Sequence, residues 1–435
     1  MKKNLKCLVT LGLVAIMGAT LLTGCGKNQG NKDGNTTTGG KTKVTFGIWD
    51  ENQRPTMENL ATAYEAKNNN VDVEIQLTPY KGGEYWTKLE ASATGGTAPD
   101  VFWLNTLHAE SYKDGGILLD LTDYLAKSDL NLEENYPAAL ISMYKFDDKM
   151  YAIPKDFDTN ALWYNKAIFD KAGVDYPTDD WTWDDFVAAA QKLKDAGLDA
   201  GVYPVAAPLD FQTDYYPTVY ANGGWILNAD KTETGYEDPK TQEGIQVWID
   251  LIKAGLSPDL ATMTDTSADA MFEAGKLGMI LAGSYMTPQY MSNDGINKIV
   301  NLVEFPKFNG VEPNIINGLG YAVYSGSKNK DAAVDFALWL GSAEAMKIQG
   351  EGGAVISARN DGQQYFAATN PDLNLAAYTN HSDVAYPLPV CKSSAELYDL
   401  EANYLKWAYS GEKTLAEASK ELKAEADAVL SKMNK

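Results

Sequence analysis

Val71, Val73, Ile75 and Leu77 alternate with Asp72, Glu74 and Gln76, and this period of two predicts a half-buried strand. Just before it, Met57, Leu60, Ala61 and Tyr64 recur at helical spacing. They predict a helix over 55–67, with Pro55 in the first turn, where a missing N–H costs nothing. A strand over 43–49 precedes that helix, a helix over 84–93 follows, and the apolar run 98–104 predicts a buried strand. Strand, helix, strand, helix, strand is the order that builds a parallel sheet with crossover helices.

The pattern resumes with a strand within 151–165 and a helix over 166–172. Thr182, Trp183, Asp184 and Asp185 then open another helix. Thr182 can cap it and Asp185 can reach back, while Trp183, Phe186, Val187, Ala190 and Leu193 share one face. Further strands are predicted at 278–282, 300–305 and 320–324, and long helices at 395–409 and 414–433. No internal repeat marks a solenoid. Residues 43–435 are too many for one ordinary core. The fold class expected is α/β with two lobes, each a sheet flanked by helices, and a ligand cleft between them.

The first residues read differently. Lys2, Lys3 and Lys6 precede an apolar stretch from Leu8 to Leu22, the layout of an export signal over 1–24. The stretch ends in Leu22-Thr23-Gly24-Cys25, which resembles the bacterial lipoprotein box; that resemblance implies lipidation of Cys25. Residues 25–42 hold no large apolar side chain and are expected to act as a lipid-anchored flexible linker.

Composition narrows the partners. A formal charge of −22 at pH 7 disfavours nucleic acid and anionic headgroups, so the only membrane attachment expected is the lipid. The chain has three cysteines: Cys7 leaves with the signal, Cys25 takes lipid, and Cys391 remains, a small buried hydrophobe rather than half of a disulfide. Two histidines, His108 and His381, without a Cys or His cluster in sequence, give no reason to expect a metal or other cofactor. The 10 tryptophans and 25 tyrosines matter more, because pyranose rings pack their C–H faces on aromatic rings while their hydroxyls need carboxylate and amide partners.

Several segments, taken in order, resemble the family 1 extracellular solute-binding proteins that feed ABC importers. They are Val44-Thr45-Phe46-Gly47-Ile48-Trp49-Asp50, Ala98-Pro99-Asp100-Val101-Phe102, Tyr151-Ala152-Ile153-Pro154 through Trp163-Tyr164-Asn165-Lys166, and Asn222-Gly223-Gly224. Gly278-Met279-Ile280 through Gly283-Ser284-Tyr285 and the run 332–340 complete the set. The resemblance implies a periplasmic-binding-protein-like fold whose chain crosses between lobes near 157–161, again near 317–321, and returns after about 353. Lobe 1 is then 43–157 with about 321–353, and lobe 2 is 158–320 with about 354–435. It also implies a mono- or oligosaccharide ligand, permease subunits of an ABC importer as partners, a monomer, and a place on the extracytoplasmic face of the membrane, on a Gram-positive surface.

Ligands of open α/β sheets sit beyond the carboxyl ends of the strands. That rule and the resemblance nominate Trp49 and Asp50, Asn105 and Thr106, Asp156 and Asp158 in the crossover, and Tyr285. The resemblance makes Asp158 an acceptor of sugar hydroxyls and Tyr285 a stacking ring, where relatives carry tryptophan more often. Tyr215, Trp225, Gly318 and Arg359 are further candidates. Each has a structural alternative: Trp49 as a plug of the lobe interior, Asn105 as a loop cap, Asp158 as a solvated turn, Gly318 as backbone clearance in the crossover. A secreted carbohydrate-active enzyme using Asp156 and Asp158 as acid and base is the enzyme alternative. A sugar-sensing or adhesive lipoprotein is the other. No Gly-x-Ser-x-Gly is present, which removes the commonest serine hydrolase signature.

Overall fold

The computed structural model describes residues 37–38, 40–80 and 83–433. The export signal, Cys25 and most of the linker lie outside the described residues. Among the described residues no helix is long and apolar enough to cross a membrane.

Two sheets organise the chain. The first is built on β1 (Lys41–Ile48), which pairs in parallel with β2 (Val71–Leu77) and with β3 (Val101–Asn105). The helices between them, α1 (Arg54–Lys67) and α2 (Glu84–Thr94), bury the faces read from their spacing, with Met57, Leu60, Tyr64 and Leu89 in the core. This sheet is not purely parallel. Next to β3 lies a strand from far along the chain, Leu319–Val323, antiparallel to it, and beyond that Ala152–Pro154, again antiparallel. Local order gave the parallel part; the antiparallel part comes from strands that arrive by crossing from the other lobe.

The second sheet has four strands. Asn160–Asn165 lies between Leu277–Gly283 and Val300–Glu304, antiparallel to both, and Tyr203–Val205 forms the edge, parallel to Leu277–Gly283. Pro204 sits in that edge strand, the place in a sheet where a residue without an N–H is tolerated. The helix Trp183–Asp195 packs beside it. Its Thr182–Asp185 capping box is formed in both directions, as the sequence predicts. Two C-terminal helices, Ser394–Tyr409 and Leu415–Met433, complete the core of this lobe through Leu405, Leu422, Ala426 and Leu430.

Three passes of chain join the sheets. The first runs from Ala152–Pro154 through Asp156–Phe157 to Asn160–Asn165. The second runs from Val300–Glu304 through Ile315–Ile316 to Leu319–Val323. On the third, Ile356–Ser357 pairs antiparallel with Asp156–Phe157 before the chain returns to the second lobe. The first two passes also bridge each other at Asp158 and Asn317.

Candidate functional site

A cavity of about 470 Å³ opens between the lobes at the crossing strands, within the range of small-molecule sites. Its walls are the carboxyl ends of strands from both sheets. Trp49 and Asp50 follow β1, Asn105 ends β3, and Tyr285 follows Leu277–Gly283. Asp156, Asp158 and Asn317 rise from the crossings, and Asp210 and Gln212 follow the edge strand.

Trp49 is shared between core and cavity. Its ring meets Trp103 edge-on at 5.1 Å and Tyr85 at 4.9 Å, yet the side chain is half-buried and lines the cavity. Tyr285 is more open, 42% exposed, so one ring face is available for stacking. Gly283 makes that pose possible: a Cβ there would lie 2.2 Å from Tyr285 Cε1. Asn105 has two roles. It lines the cavity, and its Oδ1 accepts from Leu107 N at 2.9 Å as the cap of helix Thr106–Asp114.

A polar chain runs across the floor. Thr106 Oγ1 donates to Asn317 Oδ1 at 2.9 Å, Asn317 Nδ2 donates to Gln212 Oε1 at 3.1 Å, and Gln212 Nε2 donates to Asp158 Oδ1 at 2.5 Å. First lobe, crossing, second lobe and crossing are thereby tied in series. Asp158 is recessed among acidic neighbours; desolvation and then Asp156 push its carboxyl well above the usual carboxylate range. Asp156 is committed: its Oδ1 accepts from Leu319 N at 2.9 Å and its Oδ2 takes the ammonium of Lys155. Lys155 is fully buried, donates also to Gln53 Oε1 at 2.8 Å, and lies 4.4 Å from the centre of the Trp103 ring. Desolvation lowers its pKa, against the opposing pull of Asp156.

The remaining sequence nominations fall outside the cavity. Tyr215 is in the core, its hydroxyl on the buried carboxylate of Glu401. Trp225 packs on Gly235, where a Cβ would meet its Cδ2 at 2.6 Å. Arg359 is taken up by Asp361 at 2.8 Å and by Asn135 at 3.0 Å. Thr106 is buried and acts through Asn317. Gly318 is a backbone-clearance position, since a Cβ would fall 2.2 Å from Asp156 O. Sequence reasoning passed over Tyr80, Asp210, Phe211, Gln212 and Asn317, all of which line the cavity. Asn317 lay within the expected second crossing. Asp210 and Gln212 follow a strand too short, and too interrupted by Pro204, to be read as one.

One group of metal-ligand type is brought together by the fold although its members are far apart in sequence. Ligand atoms of Glu304, Glu312 and His381 lie within 4.8 Å of one another. They are engaged internally: His381 Nε2 is 2.9 Å from Glu304 Oε2, and Lys307 Nζ is 3.3 Å from Glu312 Oε1.

Two α/β lobes with a polar, aromatic-walled cavity at their crossing strands define a two-lobed solute-binding protein. The chain belongs to the bacterial extracellular solute-binding protein family, whose model matches residues 49–347. A binding protein of Brucella abortus is 25% identical over 406 residues, covering 90% of this chain and 94% of that protein. The galactooligosaccharide-binding protein of Bacillus subtilis is 24% identical over 362 residues, covering 81% of this chain and 80% of that one. Among solved structures, an ABC substrate-binding protein from Listeria monocytogenes in complex with cycloalternan superposes with a TM-score of 0.81. It is 25% identical, with 90% of this chain and 99% of that chain covered.

Proposed function

We propose that this protein captures a saccharide, an oligosaccharide in the fuller form of the reading, and delivers it to the permease of an ABC importer. The observation that carries the reading is the pairing of an open aromatic ring, Tyr285, with the carboxylate and amide groups of Asp158, Asp210, Gln212 and Asn317 in one cavity. Such a set offers a C–H-packing surface and hydroxyl acceptors together. Relatives whose names state a galactooligosaccharide or a diacetylchitobiose ligand support the same class.

Binding rather than catalysis is favoured by Asp156. A carboxylate held by a buried ammonium and a backbone N–H is poorly placed to shuttle protons with Asp158. The lobes, 43–157 with about 321–353 and 158–320 with about 354–435, move about the crossing strands, and ligand contacts to both favour the closed form. The protein works as a monomer, lipidated at Cys25 and held on the extracytoplasmic face of the membrane.

A thermal-shift and calorimetric screen of mono- and oligosaccharides tests this. A true ligand a hundredfold above its dissociation constant stabilises the fold by about 2.7 kcal/mol. A melting temperature that no saccharide moves removes the sugar assignment, and release of smaller sugars from a bound oligosaccharide restores the enzyme alternative.

A further inference from the structure

The helix Thr106–Asp114 belongs to the first lobe, since it follows β3, yet one of its faces is turned to the second. Leu107, Glu110 and Asp114 fall on that face, at helical spacings of three and four. Leu107 lines the cavity and packs against the core of the second lobe. Further along, Lys231 Nζ lies 3.1 Å from Glu110 Oε2, and Lys392 Nζ lies 2.6 Å from Asp114 Oδ2. Both lysines are borne by the second lobe: Ile226 and Tyr236 flank one in sequence, Cys391 adjoins the other, and all three belong to that lobe's core.

Two observations set these pairs apart from ordinary surface ion pairs. Lys231 has a φ of +55°, one of four non-glycine residues in the left-handed region among the described residues. Its turn closes without its side chain: Lys231 N donates to Asn228 O at 2.9 Å, and Asn228 Oδ1 accepts from Thr232 N at 2.7 Å and from Glu233 N at 3.2 Å. Glycine or asparagine suits that conformation better, so the local backbone does not account for a lysine; the carboxylate of the other lobe does. Asp114, for its part, is shared between lobes. Its Oδ1 lies 3.0 Å from Lys113 of its own lobe while its Oδ2 takes Lys392, and Lys392 first, then Lys113, holds its carboxyl below the usual carboxylate range.

None of these four charged groups lines the cavity. They continue the wall that Asn105 and Leu107 form, so parting the lobes at the cavity pulls both pairs open. We propose that Glu110–Lys231 and Asp114–Lys392 form a latch between the lobes, which holds the cavity closed around its ligand and sets affinity from outside the site. The proposal rests on the saccharide reading above for the identity of that ligand. The latch acts on release rather than on encounter, because opening must break it first. A partly exposed pair of this kind is worth about a two- to fivefold change in an equilibrium. Salt weakens it.

Carbodiimide coupling joins a lysine directly to a carboxylate where the two touch, and mass spectrometry of the digested protein locates the joint. Ligand-free protein should yield the Glu110–Lys231 and Asp114–Lys392 crosslinks, and a saccharide found by thermal shift should raise both yields. Lys231→Glu with Lys392→Glu should weaken binding of that saccharide about fourfold or more, through faster release in stopped-flow with association unchanged. Wild-type affinity should fall toward that of the variant in about 0.5 M salt. Glu110→Lys combined with Lys231→Glu restores one pair with its charges exchanged and should bind more tightly than Lys231→Glu alone, a recovery that damage to the fold would not give. Absence of both crosslinks overturns the latch. So does a charge-reversed variant that binds as well as wild type or better, or an exchange that recovers nothing. Crosslinks that form while no saccharide raises their yield or moves the melting temperature overturn the saccharide reading and leave the latch standing.

Discussion

The backbones of Asp158 and Asn317 hold each other: Asp158 N donates to Asn317 O at 2.8 Å, and Asn317 N donates to Asp158 O at 3.2 Å. One residue belongs to the first crossing and the other to the second, so the two passes of chain cross the cleft as a small antiparallel pair. Their side chains are joined through Gln212. Asn317→Ala would strand the Gln212 amide oxygen at the cavity floor and leave Thr106 Oγ1 only its longer contact, 3.3 Å, with Asn105 Oδ1. We expect a loss of about 1–3 kcal/mol in urea unfolding and weaker saccharide binding, since Gln212 would no longer orient Asp158. An unchanged unfolding midpoint together with unchanged affinity would show that the polar chain carries no load.

Gly283 controls the stacking ring. An alanine Cβ would lie 2.2 Å from Tyr285 Cε1, and the ring, 42% exposed, can move away without unpacking the core. Gly283→Ala should therefore keep the fold and lower saccharide affinity at least tenfold. Tyr285→Ala should do the same, and the double variant should bind no worse than Tyr285→Ala alone, because both changes remove one contact. Additive losses in calorimetry would mean that Gly283 acts elsewhere.

Lys155 and Asp156 form a fully buried ion pair beneath the cavity. Lys155→Met leaves the Asp156 carboxylate without its counter-charge and should cost about 3–5 kcal/mol in denaturant unfolding. Lys155→Met with Asp156→Asn removes both charges and should recover part of that loss. A double variant as unstable as Lys155→Met would contradict the account.

Glu401 supplies a pH signature remote from the cavity. Burial raises its carboxyl from the ordinary 4.5 to about 7, against the opposing effect of hydroxyls donated by Tyr215, Tyr216 and Tyr236. Between those values the folded chain retains a proton that the unfolded chain has released. Its contribution to stability is thus full below the unfolded pKa, falls as pH rises to about 7, and stays low above it. The swing is on the order of 3 kcal/mol. Glu401→Gln should flatten this part of the stability profile between pH 5 and pH 8; a variant that keeps the wild-type slope would assign it to other groups.

Cys25→Ala tests the anchor by itself. The variant should appear in the medium or soluble fraction while binding saccharide as the parent does. A variant that stays with the membrane would sink the lipidation reading.

What could be read in advance was local. The strand at Val71–Leu77 and the capping box at Thr182 and Asp185 depend on neighbours in sequence, and both are where periodicity puts them. Trp49, Asp50, Asn105, Asp158 and Tyr285 line the cavity because each follows a strand or sits in a crossing that pattern and resemblance could locate. What could not be read depends on distant partners. Tyr215 is drawn into the core by a carboxylate 186 positions away, and Arg359 is held by an asparagine 224 positions away. Gln212 was missed for a different reason: the strand before it is three residues long and contains Pro204, which erases the alternation that marks a strand.

The strand Leu319–Val323 lies between β3 and Ala152–Pro154, so the first sheet is interrupted until more than half the chain is available. The second lobe waits longer, because Leu422, Ala426 and Leu430 near the end of the chain belong to its core. Contacts of such high sequence separation are slow to form and leave apolar edges open meanwhile. Neither half can therefore mature as the chain emerges: a molecule truncated before its last helix should be a client for chaperones and proteases rather than a weaker receptor.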